Sequence, residues 1–103
     1  DHTTAEAFVD VITTDFLLQR KIESVEWISV LRLLSLAVEG TKAIRVATAD
    51  RLREIYESAN RVHPRCSAEL RQILGRWAHR FRQEFGLAIG QLRKRDPTIP
   101  RFP

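Results

Sequence analysis

An all-α fold of about five helices in a compact array or bundle is what this sequence predicts, and three observations predict it. Apolar residues recur at helical spacing in several stretches, whereas period-two alternation is confined to a few residues. Glycine, proline and capping residues fall between those stretches, around 40–41, around 60–64 and at Gly86. The 103 residues, 44% hydrophobic and 29% charged, have the proportions of one ordinary globular domain with a single core. The expected organisation is one helical domain over residues 1–95 and an extended, proline-containing tail over 96–103.

The elements follow in order. Thr3 followed by Glu6 has capping-box spacing, and Phe8, Val11, Ile12 and Phe16 then share a face, so residues 4–19 read as a first helix. Residues 19–23 are either its continuation or a connector. Ser24 is a suitable N-cap for a second helix over 25–38, with Glu26 in the first turn favoured by the helix dipole. Apolar residues surround that helix, from Trp27 and Ile28 to Leu36 and Val38, which predicts a central, buried element closed by a left-handed cap at Gly40. Thr41 can cap a third helix over 42–59, with Ile44, Ala47, Leu52, Ile55, Tyr56 and Ala59 inward. Pro64 or Ser67 opens a fourth helix over 65–85. There Cys66, Leu70, Ile73, Leu74, Trp77, Ala78, Phe81 and Phe85 fill an arc of roughly 140° and arginines fill the rest. Gly75 inside it costs up to about 1 kcal/mol relative to alanine, which suggests close passage of a neighbouring helix. Gly86 ends this helix, and 87–95 form a short fifth with Leu87, Ile89 and Leu92 inward. Pro97, Pro100 and Pro103 forbid any continuation.

Several function classes lose support at this level. No apolar run reaches the roughly 18 residues a membrane span needs. Residues 1–4 lack the basic and apolar regions of a leader, and there is no initiator Met, so the chain reads as a fragment or a processed piece. The lone Cys66 excludes an internal disulfide and fits a reducing, intracellular setting, cytoplasmic or nuclear. Cys66 reads as a small apolar residue near a helix start, with no His, Asn or Asp set to make it a nucleophile. His2, His63 and His79 stand at no metal-ligand spacing, Asp10 and Asp15 share an acidic face without a reason for shifted pKa values, and the four glycines are scattered. Neither an enzyme nor a cofactor is expected.

Charge is unevenly divided. Residues 1–60 carry seven Lys/Arg and ten Asp/Glu, and residues 61–103 carry ten and three, a net −3 against +7. An acidic front and a basic back favour an anionic partner on one side. Acidic peptides and anionic lipid head groups suit such arginines equally. Nucleic acid is the weaker reading, because no aromatics interleave with the exposed basic residues and no helix-turn-helix pattern occurs.

Trp77-Ala78-x-x-Phe81-Arg82, a following Leu92-Arg93-Lys94, and the closing Phe102-Pro103 resemble the last two helices of a VHS domain, in the VHS/ENTH class of helical domains. Leu33-Leu34-x-x-x-Val38 and the segment from Ala47 to Leu52 resemble its central helix and the next, so the likeness covers residues 28–103. Helices two to four, with Trp77 near the end, are also similar in layout to the TFIIS N-terminal (LW) domain. Either resemblance implies a right-handed helical array and a non-catalytic module that binds short peptide segments of a larger assembly. The VHS resemblance implies an acidic peptide between the helix at 42–59 and the helix at 65–85, with Arg45, Arg53, Arg76 and Arg80 as the binding residues. A basic nucleic-acid- or transcription-associated domain is the alternative, as is a self-associating assembly with Trp27 or Phe16 on an exposed patch.

Overall fold

Six α-helices and one π-helical turn are formed among the residues described by the computed structural model, which are 2–17, 23–62 and 64–102. They run α1 His2–Val11, the π turn Ile12–Leu17, α2 Ser24–Gly40, α3 Lys42–Asp50, α4 Leu52–Val62, α5 Pro64–Arg80 and α6 Arg82–Arg95. Among the described residues there is no strand, so the all-α prediction holds, with six helices in place of about five. The molecule measures 35 × 34 × 19 Å, and its short dimension is close to two helix diameters.

The extra helix and a shifted helix boundary both arise where the chain bends without a glycine or proline. The predicted helix 42–59 divides at Arg51 (φ −104°, ψ 8°) into α3 and α4. The predicted helix 65–85 ends early, at Arg80, and the chain turns at Phe81 (φ −129°, ψ 59°) before α6 begins. Gly86, expected to stop a helix, lies inside α6, and Gly40 is the last residue of α2 with no positive φ. The chain leaves α2 through the extended Thr41, whose N–H still bonds the Ala37 carbonyl. Caps differ as well. α1 is already under way at His2, so Thr3 is not its N-cap. Ser24 is the first helical residue behind Glu23, and Thr41 precedes α3 without a side-chain cap bond. Pro64 does open α5, where its missing N–H costs nothing.

The core is built by Trp27, Leu31, Leu34 and Val38 of α2, Leu52, Ile55 and Ala59 of α4, the apolar arc of α5, and Phe85, Ile89 and Leu92 of α6. Predicted stripes on the third and fourth helices are thus realised. Three others shift. α1 buries Ala5 and Val9 with Ile12 behind them, leaves Val11 half exposed and Phe8 partly buried, and packs mainly on α3. Phe16 lies outside the described side chains. In the last helix Leu87 points to solvent and Phe85 takes the inward place. α2 is not apolar-packed all round: it buries one face and exposes Val25, Leu33 and Leu36. Trp27, offered as a surface residue, is fully buried.

The bend at Phe81 has a packing cause. In a continuous helix Trp77 and Phe85 would stand about 12 Å apart along the axis, eight residues at 1.5 Å each. Their rings instead stack with centroids 4.8 Å apart and planes at 23°. Folding α6 back on α5 lets both rings fill one core, and stacking of this kind adds to the area they bury.

Residues 96–102, expected as an extended tail, carry no helix or strand. They form a strap that returns over α5, with Ile99 buried in the core. Gly75 is the crossing point: a Cβ there would stand 2.7 Å from the Pro100 carbonyl oxygen and 2.8 Å from Cε2 of Phe102. The close neighbour that the mid-helix glycine implies is therefore this strap and not a helix. Gly75→Ala is expected to lower the melting temperature even though alanine is the better helix former by up to about 1 kcal/mol, because overpacking costs about 1–3 kcal/mol. A melt at or above that of the parent protein would show that the strap does not seat on Gly75.

Candidate functional site

Arg45, Arg53, Arg76 and Arg80 do not converge on one surface. Arg45 does not face out at all. Its Nε donates to Glu84 Oε1 at 2.6 Å, Nη1 donates to the Val38 carbonyl at 2.7 Å, and the guanidinium lies 4.6 Å from the centre of the Phe81 ring. Its side chain is 16% exposed and that of Glu84 10%. Arg45 thereby ties the end of α2, α3 and the start of α6 to the bend at Phe81, and it caps one of the carbonyls that a helix end leaves unpaired. Arg53 is 73% exposed, bonds Glu57 one turn on, and lines a cleft of about 540 Å³ between the α3–α4 corner and α6 with Asp50 and Arg95.

Arg76 and Arg80 do lie together. They rim a groove of about 360 Å³ between α2 and α5, whose apolar lining is Leu36, Ile73 and Trp77. Arg32 stands on the α2 side. Two ion pairs bridge the groove, Arg32 to Glu69 at 3.6 Å and Arg80 to Glu39, with Arg80 also 5.4 Å from the Phe81 ring centre. Arg76 has no ion pair among the described residues. The bridges are exposed, so a ligand carboxylate can replace either glutamate at small cost. Beside the groove, Val25, Leu33 and Leu36 fall within roughly 80° of one another around α2 at 100° per residue, and all three are more than half exposed.

A second concavity, of about 260 Å³, lies between α5, α6 and the strap. His79, Arg82, Arg93 and Arg101 line it, around the bare backbone of Gly75 and Gly86, and its lining holds no carboxylate. The strap is held there at two points. Arg93 Nη2 donates to the Pro100 carbonyl at 2.6 Å, and the Tyr56 hydroxyl donates to the Asp96 carboxylate. Asp96 also accepts from the Thr98 N–H at 3.1 Å and from the Thr98 hydroxyl. Burial by itself raises the Asp96 carboxyl, but the hydrogen bonds from Thr98 and Tyr56 outweigh it and hold the group below the usual carboxylate value. Burial, and then the Asp96 bond, push Tyr56 above its ordinary value. Arg93 is lowered by burial first and by the charge of Arg101 second.

Other candidates from the sequence take structural places. Cys66 is buried, and that burial pushes its thiol up, away from thiolate chemistry. Asp10 pairs with Arg51, which also bonds Glu54 at 2.9 Å. His79 is exposed on the second cleft, while the side chains of His2, His63 and Asp15 lie outside the described residues. Among the described residues no three His, Cys, Asp or Glu side chains gather as a metal site, and no helix is long and apolar enough to cross a membrane. Sequence reasoning missed the exposed face of α2 and the basic cleft under the strap. Gly75 and the basic surplus of the second half were the signals of the latter. Comparison with known protein families, with curated proteins and with solved structures finds no match for this chain.

Two outcomes follow from these contacts. Arg45→Ala removes one partner of a mostly buried pair and is expected to cost about 2–4 kcal/mol, whereas Arg53→Ala stays within about 0.5 kcal/mol. Urea unfolding of both variants checks the contrast, and equal losses would contradict it. Asp96, held below its unfolded value, stabilises the fold at pH above about 4 and loses that contribution as pH falls through its folded value. The stability difference between the parent protein and Asp96→Asn is therefore expected to be full at neutral pH and to vanish in acid. A difference independent of pH would exclude an ionised Asp96 as the strap's anchor.

Proposed function

We propose that this chain is a non-catalytic interaction module, acting inside the cell, that takes a short acidic segment of a protein partner in the groove between α2 and α5. The observation that carries the reading is the groove itself: an apolar lining of Leu36, Ile73 and Trp77 between Arg32, Arg76 and Arg80. An extended or helical segment with a leucine-sized side chain between two carboxylates would match that order of apolar and cationic groups. The adaptor-type role implied by the VHS-like motifs supports the class, and the right-handed array belongs to the same proposal. The groove differs from the position that resemblance implies, because Arg45 is committed to Glu84 and Arg53 lines the cleft towards α6 instead.

Affinity follows from the contacts. Each charge-assisted hydrogen bond in a partly desolvated groove adds about 1.5–3 kcal/mol, against at most about 1 kcal/mol on the rim. Two good bonds thus separate millimolar from micromolar binding, a gap of about 4 kcal/mol.

The exposed Val25, Leu33 and Leu36 favour one further reading, self-association through α2. Light scattering on the purified protein separates the two. A monomer that binds fluorescent peptides of the Glu-Leu-Glu type, and whose Arg76→Glu, Arg80→Glu double variant binds at least roughly tenfold more weakly with an unchanged melt, supports the groove. A concentration-dependent dimer abolished by Leu33→Ser and Leu36→Ser supports self-association. Undiminished peptide capture by the double-Glu variant would place the binding surface elsewhere.

A further inference from the structure

α5 borders two concavities. Gly75, Ala78 and His79 stand roughly 150° around the helix from Ile73, Arg76 and Arg80 at 100° per residue, so the basic cleft under the strap and the peptide groove open to different sides. Among the described residues, cations without a carboxylate partner also stand elsewhere, Arg76 and Arg95 among them, but three gather at this cleft. Arg32, Arg45, Arg51, Arg53 and Arg80 each meet a carboxylate. Arg82, Arg93 and Arg101 meet none among the described residues, and all three line this one concavity. The nearby carboxylates are engaged elsewhere, Glu84 with Arg45 and Asp96 with Tyr56 and Thr98.

Three like charges around one hollow repel; Arg93 is lowered first by its burial and only second by the charge of Arg101. Nε of Arg93 is buried with no partner among the described residues, and its Nη2 is fixed on the Pro100 carbonyl. Arg82 is the first residue of α6, so the positive end of that helix dipole adds to the field. At Gly86, in the wall of the cleft, a Cβ would meet nothing within 4 Å, so the helix surface there is bare and the hollow open. Arginine forks match the geometry of phosphate oxygens, and their charge cannot be lost by titration.

We propose that the cleft between α5, α6 and the C-terminal strap is a binding site for a phosphate group, held by Arg82, Arg93 and Arg101 with His79 beside them. The group is carried by a small phosphomonoester or by a phospholipid head. Bound there, it bridges α6 to the strap and neutralises the charges that otherwise repel, so ligand binding also tightens the strap over Gly75.

The test uses the whole chain at low salt and at a mildly alkaline pH, well above the monoester's second pKa of about 6. Inorganic phosphate and phenyl phosphate are titrated by calorimetry with chloride as the control, and phosphatidylcholine vesicles with and without phosphatidic acid are used for sedimentation. Binding of either kind is expected to raise the melting temperature. It should weaken by roughly tenfold or more in Arg82→Gln and in Arg101→Gln, a loss of about 1.4 kcal/mol each. Gly86→Leu is the second variant: it keeps every charge, improves helix propensity and fills the hollow, so it should fold at least as stably and lose the ligand. Titration by the soluble phosphates assigns a free phosphomonoester; capture confined to phosphatidic acid vesicles assigns a lipid head. No binding in either arm, or binding unchanged by Arg101→Gln and Gly86→Leu, overturns the proposal.

Discussion

The bend at Phe81 brings together the contacts on which the arrangement of the helices depends. On its inner side the Trp77 and Phe85 rings stack, which no straight helix permits. On its outer side the Phe81 ring lies under the guanidinium of Arg45, which also bonds Glu84 and the Val38 carbonyl. α2, α3, α5 and α6 all meet within these few groups. An aromatic face supports a cation best where water is partly excluded, and a mostly buried ion pair needs additional hydrogen bonds to offset desolvation. Arg45 satisfies both conditions by using the ring, the carboxylate and a helix-end carbonyl at once.

The same joint explains how the charge of this basic chain is distributed. Acidic residues of the first half are spent on arginines that tie elements together: Asp10 on Arg51, Glu39 on Arg80, Glu84 of the second half on Arg45. The second half has ten cations and three carboxylates, so its surplus cannot be paired internally. Where that surplus lies is set by the strap, which carries Arg101 back against Arg82 and Arg93. A sequence segment that looks like a loose end therefore shapes a concave basic surface, because Ile99 is drawn into the core and Gly75 allows the backbone to cross at van der Waals distance.

The outer face of α2 shows the opposite case, apolar residues that the fold does not use. Val25, Leu33 and Leu36 remain exposed because no other described element covers that side of the helix. An apolar stripe next to arginines and a shallow groove, apolar at its centre and polar at its rim, is the composition on which the proposed interaction module rests.

What the sequence by itself determined is the helical class and the inward faces of α4 and α5, since a 3.6-residue period of Leu52, Ile55 and Ala59, or of Cys66 to Trp77, can bury only one side. Pro64 and Gly75 were equally legible, one as a helix start and one as a place of close approach. Tertiary structure decided the rest. Arg51 and Phe81 break helices although neither residue type breaks them locally: at Phe81 the stacking of Trp77 on Phe85 favours the bent chain, and at Arg51 the side chain ties the corner to Asp10 of α1. Gly40 and Gly86 stay helical although nothing packs on their own Cα positions, because buried neighbours on the same helices, Val38 in α2 and Phe85 and Ile89 in α6, override a propensity of at most about 1 kcal/mol. For the four arginines the sequence supplied charge and approximate facing, but whether a guanidinium meets a carboxylate 39 residues away, as Arg45 meets Glu84, is a property of long-range packing that no local pattern encodes.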